Sequence, residues 1–321
     1  CYLSCLYTAC GLEKKGDEIL SVEAREVTGG RIKRFRAPVF IDATGDGWLG
    51  YWAGADYRYG REAASQHDEG WDKYGDLWSP NKADNRVMGT SVLWNSERTN
   101  QKQDFPKVPW AIPVSGKHIA SKGEWFWEYS DNDLNQVDDA EEIRDHMLRA
   151  IFGSFSNAKK NPKYAPNKLK WVAYVGGKRE SRRLMGDHIY DMHDAIKRRE
   201  FPDAVVVEKR EVDGHYQRKL KGAKEDFLST AMFHKTGGYY FIPFRSFYSR
   251  NLSNLMMAGR CFSCTHVGLC GPRVMNTCGQ MGIATGYAAV LCKKHKATPK
   301  EVGQSHIKEL RNLIGFDGSK L

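Results

Sequence analysis

The chain has 321 residues, 41% of them hydrophobic and 27% charged; that is the balance of an ordinary globular protein, and its length exceeds one usual core, so two lobes are expected. Its formal net charge of +10 is spread along the chain without basic blocks, zinc-finger spacing or an RNP motif, which argues against a nucleic-acid partner and for an anionic ligand or plain solubility. No apolar run approaches the roughly 20 residues of a membrane-spanning helix.

The chain begins at Cys1 rather than Met, and residues 1–10 already read as a strand in progress, followed by a charged turn at Glu13 to Glu18. A natural N-terminus further upstream is expected, and any signal peptide with it, so compartment is not legible. A second strand near Glu18–Thr28, a turn at Gly29-Gly30 and a basic strand at Arg31–Arg36 predict a hairpin or meander. Val39, Phe40 and Ile41 then form an apolar run of the kind buried on both faces of a parallel sheet. It ends in Ala43-Thr44-Gly45-Asp46-Gly47, ahead of a stretch with helical spacing, WLGYWAGA. Strand, glycine turn and helix make a mononucleotide-type arrangement with its ligand at the strand's carboxyl end; the plainer reading is a tight loop with Asp46 capping the helix.

From Tyr59 to Arg250 the composition turns aromatic and charged, with a strand predicted at Val87–Trp94 and a helix from Asp138 to Phe152 stopped by Gly153. Trp110, Trp125 and Trp127 suit either a core or a sugar-stacking platform. Arg179, Glu180, Arg182 and Arg183 read as an ion-paired face or as site residues, and Asp213 with His215 as a second-ranked acid/base pair. The last third holds an apolar strand at Leu255–Ala258 and a helix from Thr277 with Gly279, Gly282 and Gly286 near one stripe. Each glycine costs a helix about 1 kcal/mol against alanine, so something is expected to pack on that backbone. Lys293, Lys294 and His295 suit that helix's negative end, and Thr298-Pro299-Lys300-Glu301 reads as a capping box. Cys261 and Cys264 form a C-x-x-C, but the intervals to Cys270 and Cys278 are irregular, so packing is preferred over zinc or a dithiol, and no metal is expected. Two nucleotide-like segments, 1–60 and 251–321, thus flank a different middle, 61–250. A discontinuous domain carrying an insert is expected, with the active site between them.

FIDATGDG, GGKRESRRLMGDHI (176–189), YYFIPFRSFYS (239–249) and NLMMAGRCFSCTHVGLCGPRVMNTCGQMGIATGYAA (254–289) follow one another in this order. Together they resemble the FAD-dependent oxidoreductase family of the glutathione-reductase-like flavoprotein superfamily over most of the chain, most weakly from Gln66 to Lys117. The resemblance implies an α/β fold: a discontinuous FAD/NAD(P)-binding Rossmann-like domain with an inserted mixed α+β substrate domain. It also places the family's pyrophosphate-binding strand–G-x-G-x-x-G–helix upstream of Cys1, leaving this chain as a remainder that lacks it.

By the same resemblance Thr44, Gly45, Asp46 and Gly47 form a second turn near the dinucleotide. Gly259-Arg260 stands where related flavoproteins carry Gly-Asp at the ribitol, so the Arg260 cation would meet the FAD phosphates instead. Thr277, Cys278, Gly279, Met281 and Gly282 would face the pyrimidine end of the isoalloxazine, where a helix start stabilises negative charge. His266 and Arg273 fall in the loop between. His266 is the candidate to take a hydroxyl proton, with a structural histidine as its alternative; Arg273 is a candidate to hold an anionic group or the flavin itself, or else braces the loop, and Arg179 is a candidate catalytic residue. The expected activity is oxidation of a small substrate, a sugar or hydroxy acid, by hydride transfer to FAD, with an unidentified acceptor. Carbohydrate metabolism is suggested by names within the family. The alternatives are a non-catalytic binding or scaffold protein without cofactor and a lyase-like carbohydrate-processing enzyme.

Overall fold

The computed structural model describes residues 3–70, 78–112, 122–123, 127–131, 133–218 and 228–317. In chain order the elements are β1 (Tyr7–Lys15), β2 (Glu18–Glu26), β3 (Ile32–Phe35), β4 (Phe40–Asp42), α1 (Trp48–Ala53), β5 (Tyr57–Arg58), α2 (Ala64–His67), β6 (Trp94–Arg98) and α3 (Ala140–Lys159). There follow β7 (Asn167–Val172), β8 (Arg183–Leu184), α4 (Met192–Ile196), β9 (Ala204–Glu208), β10 (Val212–Arg218), β11 (Leu228–His234) and β12 (Tyr240–Pro243). The chain closes with β13 (Leu255–Met257), α5 (His266–Leu269), α6 (Met275–His295), α7 (Pro299–Ser305) and α8 (Ile307–Leu313).

β1, β2 and β3 make the predicted antiparallel meander. Its first strand starts only at Tyr7 and runs through the expected turn to Lys15, so Gly16, with φ +60°, and Asp17 alone reverse the chain. The other sheets are pairs: β5 with β8, β6 with β7, β9 with β12 and β10 with β11 are antiparallel. β4 and β13 are parallel, with Leu255, Met256 and Met257 opposite Phe40, Ile41 and Asp42. The architecture is therefore mixed α/β with small sheets. Phe40 is buried while Val39 and Ile41 are half-buried, so this run is not enclosed on both faces as predicted.

Three apolar cores hold these elements. One lies under the meander, where Ile19, Val22, Phe40, Leu49, Leu184, Leu255 and Met257 meet. A second joins Val92, Trp94, Trp127 and Tyr129 to one face of α3. That face, Ile143, Met147, Ala150, Ile151, Phe155 and Ala158, keeps helical spacing beyond residue 153. Gly153 is accordingly a buried position inside the helix rather than its stop. The third and largest core packs Tyr190, Val206, Phe244, Phe247 and Met256 against α5 to α8. Strand β6 begins at Trp94, later than predicted, because Thr90 and Ser91 are held instead by isolated bridges to Tyr129 and Gly177. The capping box of α7 forms as predicted, Glu301 N donating to Thr298 Oγ1 and Thr298 N donating to Glu301 Oε2.

The rotation of α6 is fixed by one side chain. The Gln280 amide clasps β9, accepting from Val207 N at 3.1 Å and donating to Val207 O at 2.9 Å. Thr277, Met281, Ala284, Ala288 and Leu291 consequently turn inward, and Gly279, Gly282 and Gly286 turn outward.

Candidate functional site

Asp42, fully buried at the carboxyl end of β4, organises the turn that follows. Its Oδ1 accepts from Thr44 N and Thr44 Oγ1 at 3.0 and 2.7 Å, and its Oδ2 accepts from Gly50 N at 3.1 Å. Trp48 N donates to Thr44 Oγ1, so the first turn of α1 is capped by Thr44 and Asp42, and Asp46 does not cap it. Gly45, Gly47 and Gly50 have the spacing G-x-G-x-x-G between a strand and a helix, so the motif expected to be missing does occur in the sequence. Within it Gly50 N donates to Asp42 Oδ2 and Trp48 N to Thr44 Oγ1, and α1 is six residues long. The glycines answer to protein neighbours: a Cβ on Gly45 would lie 2.5 Å from Arg260 Nη2, and one on Gly50 would overlap Leu184. Gly50→Ala is therefore expected to cost about 1–3 kcal/mol in chemical denaturation, and Leu184→Ala to cost less in that background than in the wild type. Additive losses would remove this explanation of the third glycine.

The motif at 178–183 distributes its side chains among several partners. Lys178 Nζ and Ser181 Oγ bind the Asp46 carboxylate, and Arg182 stacks over Trp48 and Tyr51 at 4.5 and 4.0 Å. Arg183, completely buried, pairs with Glu180 and with Glu62 Oε1 (2.9 Å) and donates to the carbonyls of Gly60 and Cys264. Glu180 Oε2 also accepts from Met88 N and meets His266 Nδ1 at 2.7 Å.

His266 belongs to this interior layer. Its Nε2 meets the Tyr216 hydroxyl at 2.8 Å, its backbone N–H donates to Glu62, and it is 1% exposed. Both ring nitrogens are engaged by buried groups, so neither stands free at an open edge as expected.

Arg179 and Arg273 do come together, around a pair that ranked second in the sequence. Asp213 and His215, two apart on β10, share a strand face, with His215 Nε2 3.2 Å from Asp213 Oδ1. Arg273 Nη2 donates to Asp213 O at 3.1 Å and lies 3.5 Å from its carboxylate. Arg179 Nη1 donates to Gly89 O and Ser91 Oγ and lies 3.7 Å from the wholly buried Glu128, which also accepts from Ser229 Oγ. His215 Nδ1 faces Ser229 Oγ at 3.2 Å and Glu128 at 3.6 Å. Arg210, half-exposed, reaches Asp213 from the surface. Burial would raise Asp213, but His215, Arg210 and Arg273 outweigh it and hold the carboxyl down at about 2. Burial would likewise lower His215, but Asp213 and Glu128 prevail and raise it above its ordinary value. Burial lowers Arg179, as does the charge of Arg273, with Glu128 opposing. Glu128 gave no sequence signal; the i, i+2 pairing of Asp213 and His215 was the readable one.

The start of α6 adjoins this cluster. Its N-cap, Val274, offers no side-chain acceptor, and Cys278 Sγ lies against Arg273 O at 3.4 Å, with Arg260 and Arg273 both acting on the thiol. Among the described residues nothing outside the helix's own backbone lies within 4 Å of a Cβ built on Gly279, Gly282 or Gly286, so they do not make the expected packing on that backbone. Thr277 and Met281 point the other way: the Thr277 hydroxyl bonds Glu208, and Met281 is core, which corrects their expected exposure to a ligand. Nε of Arg260 and Nε of Arg273 are buried without a hydrogen-bond acceptor among the described residues.

A model of FAD-dependent oxidoreductases matches residues 3–314. The chain belongs to this family. No curated protein and no solved structure matches it. It is thus an FAD-dependent oxidoreductase, an enzyme whose cofactor is FAD. The open glycine face of α6, its uncapped N-terminus and the unfilled Arg260 donor fit the flavin end of that cofactor. In the Thr44–Gly50 turn Asp42 takes the N–H groups of Thr44 and Gly50.

Of the three tryptophans singled out in the sequence, Trp127 is buried in the second core, Trp110 packs on Phe152 at 4.8 Å while remaining half exposed, and Trp125 lies outside the described residues. Cys261, Cys264 and Cys270 are buried, and burial holds their thiols well above the ordinary range, as expected of packing residues. No described helix is long and apolar enough to cross a membrane.

Proposed function

We propose that the enzyme oxidises the C–H bond of a small anionic 2-hydroxy acid, in a site formed by Arg179, Arg273 and the Asp213–His215 pair, with a second, unidentified acceptor restoring the cofactor. The observation that carries this reading is the surplus of donors: three arginines and a raised histidine face two ionised carboxylates, and one guanidinium N–H is unfilled. An anionic substrate fits that excess better than a neutral sugar does.

FAD, when bound, supplies a hydride acceptor. The α6 start, Gly279, Gly282 and Arg260 would hold it in a glutathione-reductase-like arrangement, with 1–60 and 251–321 contributing to its domain and 61–250 to the substrate lobe. Arg179 and Arg273 bind the substrate carboxylate and fix its orientation. Asp213 holds His215 Nε2, and Nδ1, which rests against Ser229 Oγ and Glu128, would take the hydroxyl proton once it has lost its own and the substrate hydroxyl has replaced the serine contact. Its raised affinity for a proton suits a base that works near neutral pH. The test is anaerobic mixing of the FAD-loaded protein with 2-hydroxy acids and with neutral polyols and sugars of similar size. Flavin bleaching by the acids alone is expected; bleaching by the neutral sugars alone, or by neither class, would overturn the substrate assignment.

A further inference from the structure

Away from this site, His295 closes α6, His306 sits between α7 and α8, and Glu309 lies in the first turn of α8. His306 and Glu309 are three apart and share a face. The two imidazoles are stacked with centroids 3.8 Å apart and planes 11° apart, and His295 Nε2 meets Glu309 Oε2 at 2.9 Å. One ligand atom from each of the three residues lies within 4.8 Å of the others. Lys294 Nζ holds the other carboxylate oxygen, Oε1, at 2.7 Å, so Oε2 is left turned to the imidazoles.

We propose that His295, His306 and Glu309 bind one late first-row divalent cation, Zn²⁺ in the first instance. Two imidazoles and a carboxylate are the donor set that such ions prefer over Mg²⁺ or Ca²⁺. Metal–ligand distances near 2.0–2.2 Å place tetrahedral ligand atoms about 3.4 Å apart, which side-chain rotation of the half-buried residues reaches, and water completes the fourth position. The cation would take the place of the direct His295–Glu309 contact, and Lys294 orients the carboxylate from outside. The ion would clip the carboxyl end of α6, the helix whose other end enters the flavin site, to α8.

The full chain, stripped with EDTA and dialysed, is titrated with ZnCl2 in a calorimeter, with MgCl2 as control. One equivalent of Zn²⁺ is expected, with at least about tenfold weaker binding in His306→Ala and in Glu309→Gln, and Zn²⁺ should raise the Tm of the wild type alone. Co²⁺ substitution identifies the ligands. A d–d spectrum without thiolate-to-cobalt charge transfer supports the imidazole site. A charge-transfer band, equal Zn²⁺ affinity in the wild type and both variants, or no heat above the MgCl2 control would overturn it.

Discussion

Arg183→Met is expected to destabilise the protein by about 3–5 kcal/mol, read as a lowered urea midpoint at unchanged m-value. The guanidinium is completely buried and serves Glu180, Glu62 and two backbone carbonyls, so its loss strands two interior carboxylates. Glu180 would still hold Met88 N and His266, which ties the damage to α5 as well. Adding Glu62→Leu and Glu180→Leu should recover part of the loss, because an absent charge costs less than an unpaired one.

The pH dependence gives an independent check. Burial would raise the Glu62 carboxyl, but Arg183 and the His266 N–H outweigh it and hold it down at about 2. A folded value below the unfolded one means a contribution present at neutral pH and lost as pH falls from about 4.5 toward 2, on the order of 3 kcal/mol. In Arg183→Met the first-ranked influence, burial, is left without its main opponent, so Glu62 should take up a proton more readily than in solution. The gap between variant and wild type should then be widest at neutral pH and shrink on acidification. A gap that is constant with pH would mean that cavity formation, not charge, causes the loss.

Local signals proved readable where one turn or one repeat decides the structure. The meander follows from short strands separated by a charged turn and the Gly29-Gly30 turn, and α7 from its capping box, while residues of the separate motifs do meet: Asp46 with Lys178, and Arg260 against Gly45. Side-chain direction was not readable. Thr277 and Met281 were expected to face the cofactor together with Gly279 and Gly282, yet a helix cannot present all four at one face, and the Gln280 clasp on β9 chose the glycines. Gly153 fails as a stop because the apolar face of α3 continues beyond it into the second core, and packing outweighs glycine's preference for a helix end. The G-x-G-x-x-G spacing at Gly45–Gly50 is the converse case: the pattern is present, and what spacing alone did not show is that Asp42 takes its last N–H, that of Gly50.

His266 and His215 are both buried with both ring nitrogens engaged, but only His215 stands beside Arg179 and Arg273, and mutation can tell the two apart. Under anaerobic mixing with a 2-hydroxy acid, His215→Asn is expected to slow flavin reduction by about 10²–10⁴-fold, the usual worth of a positioned base. Arg273→Met should act mainly on substrate affinity, since its guanidinium touches Asp213 and leaves Nε for an anion. His266→Asn should instead lower the urea midpoint with little change in rate, because its partners, Glu180 and Tyr216, are interior. The pH profile sharpens the assignment to His215. Its folded value is raised, burial being outweighed by Asp213 and Glu128. Its contribution to stability is therefore complete below about 6.5, the unfolded value, and disappears as pH rises through the folded one. Activity runs the other way, because Nδ1 accepts a proton only once it has lost its own: the rate should fall as pH drops through that same value. Opposite slopes of rate and stability across one titration, both absent in His215→Asn, are what a catalytic base at this position requires. Parallel slopes would leave His215 as a fixed cation that helps the two arginines bind the substrate.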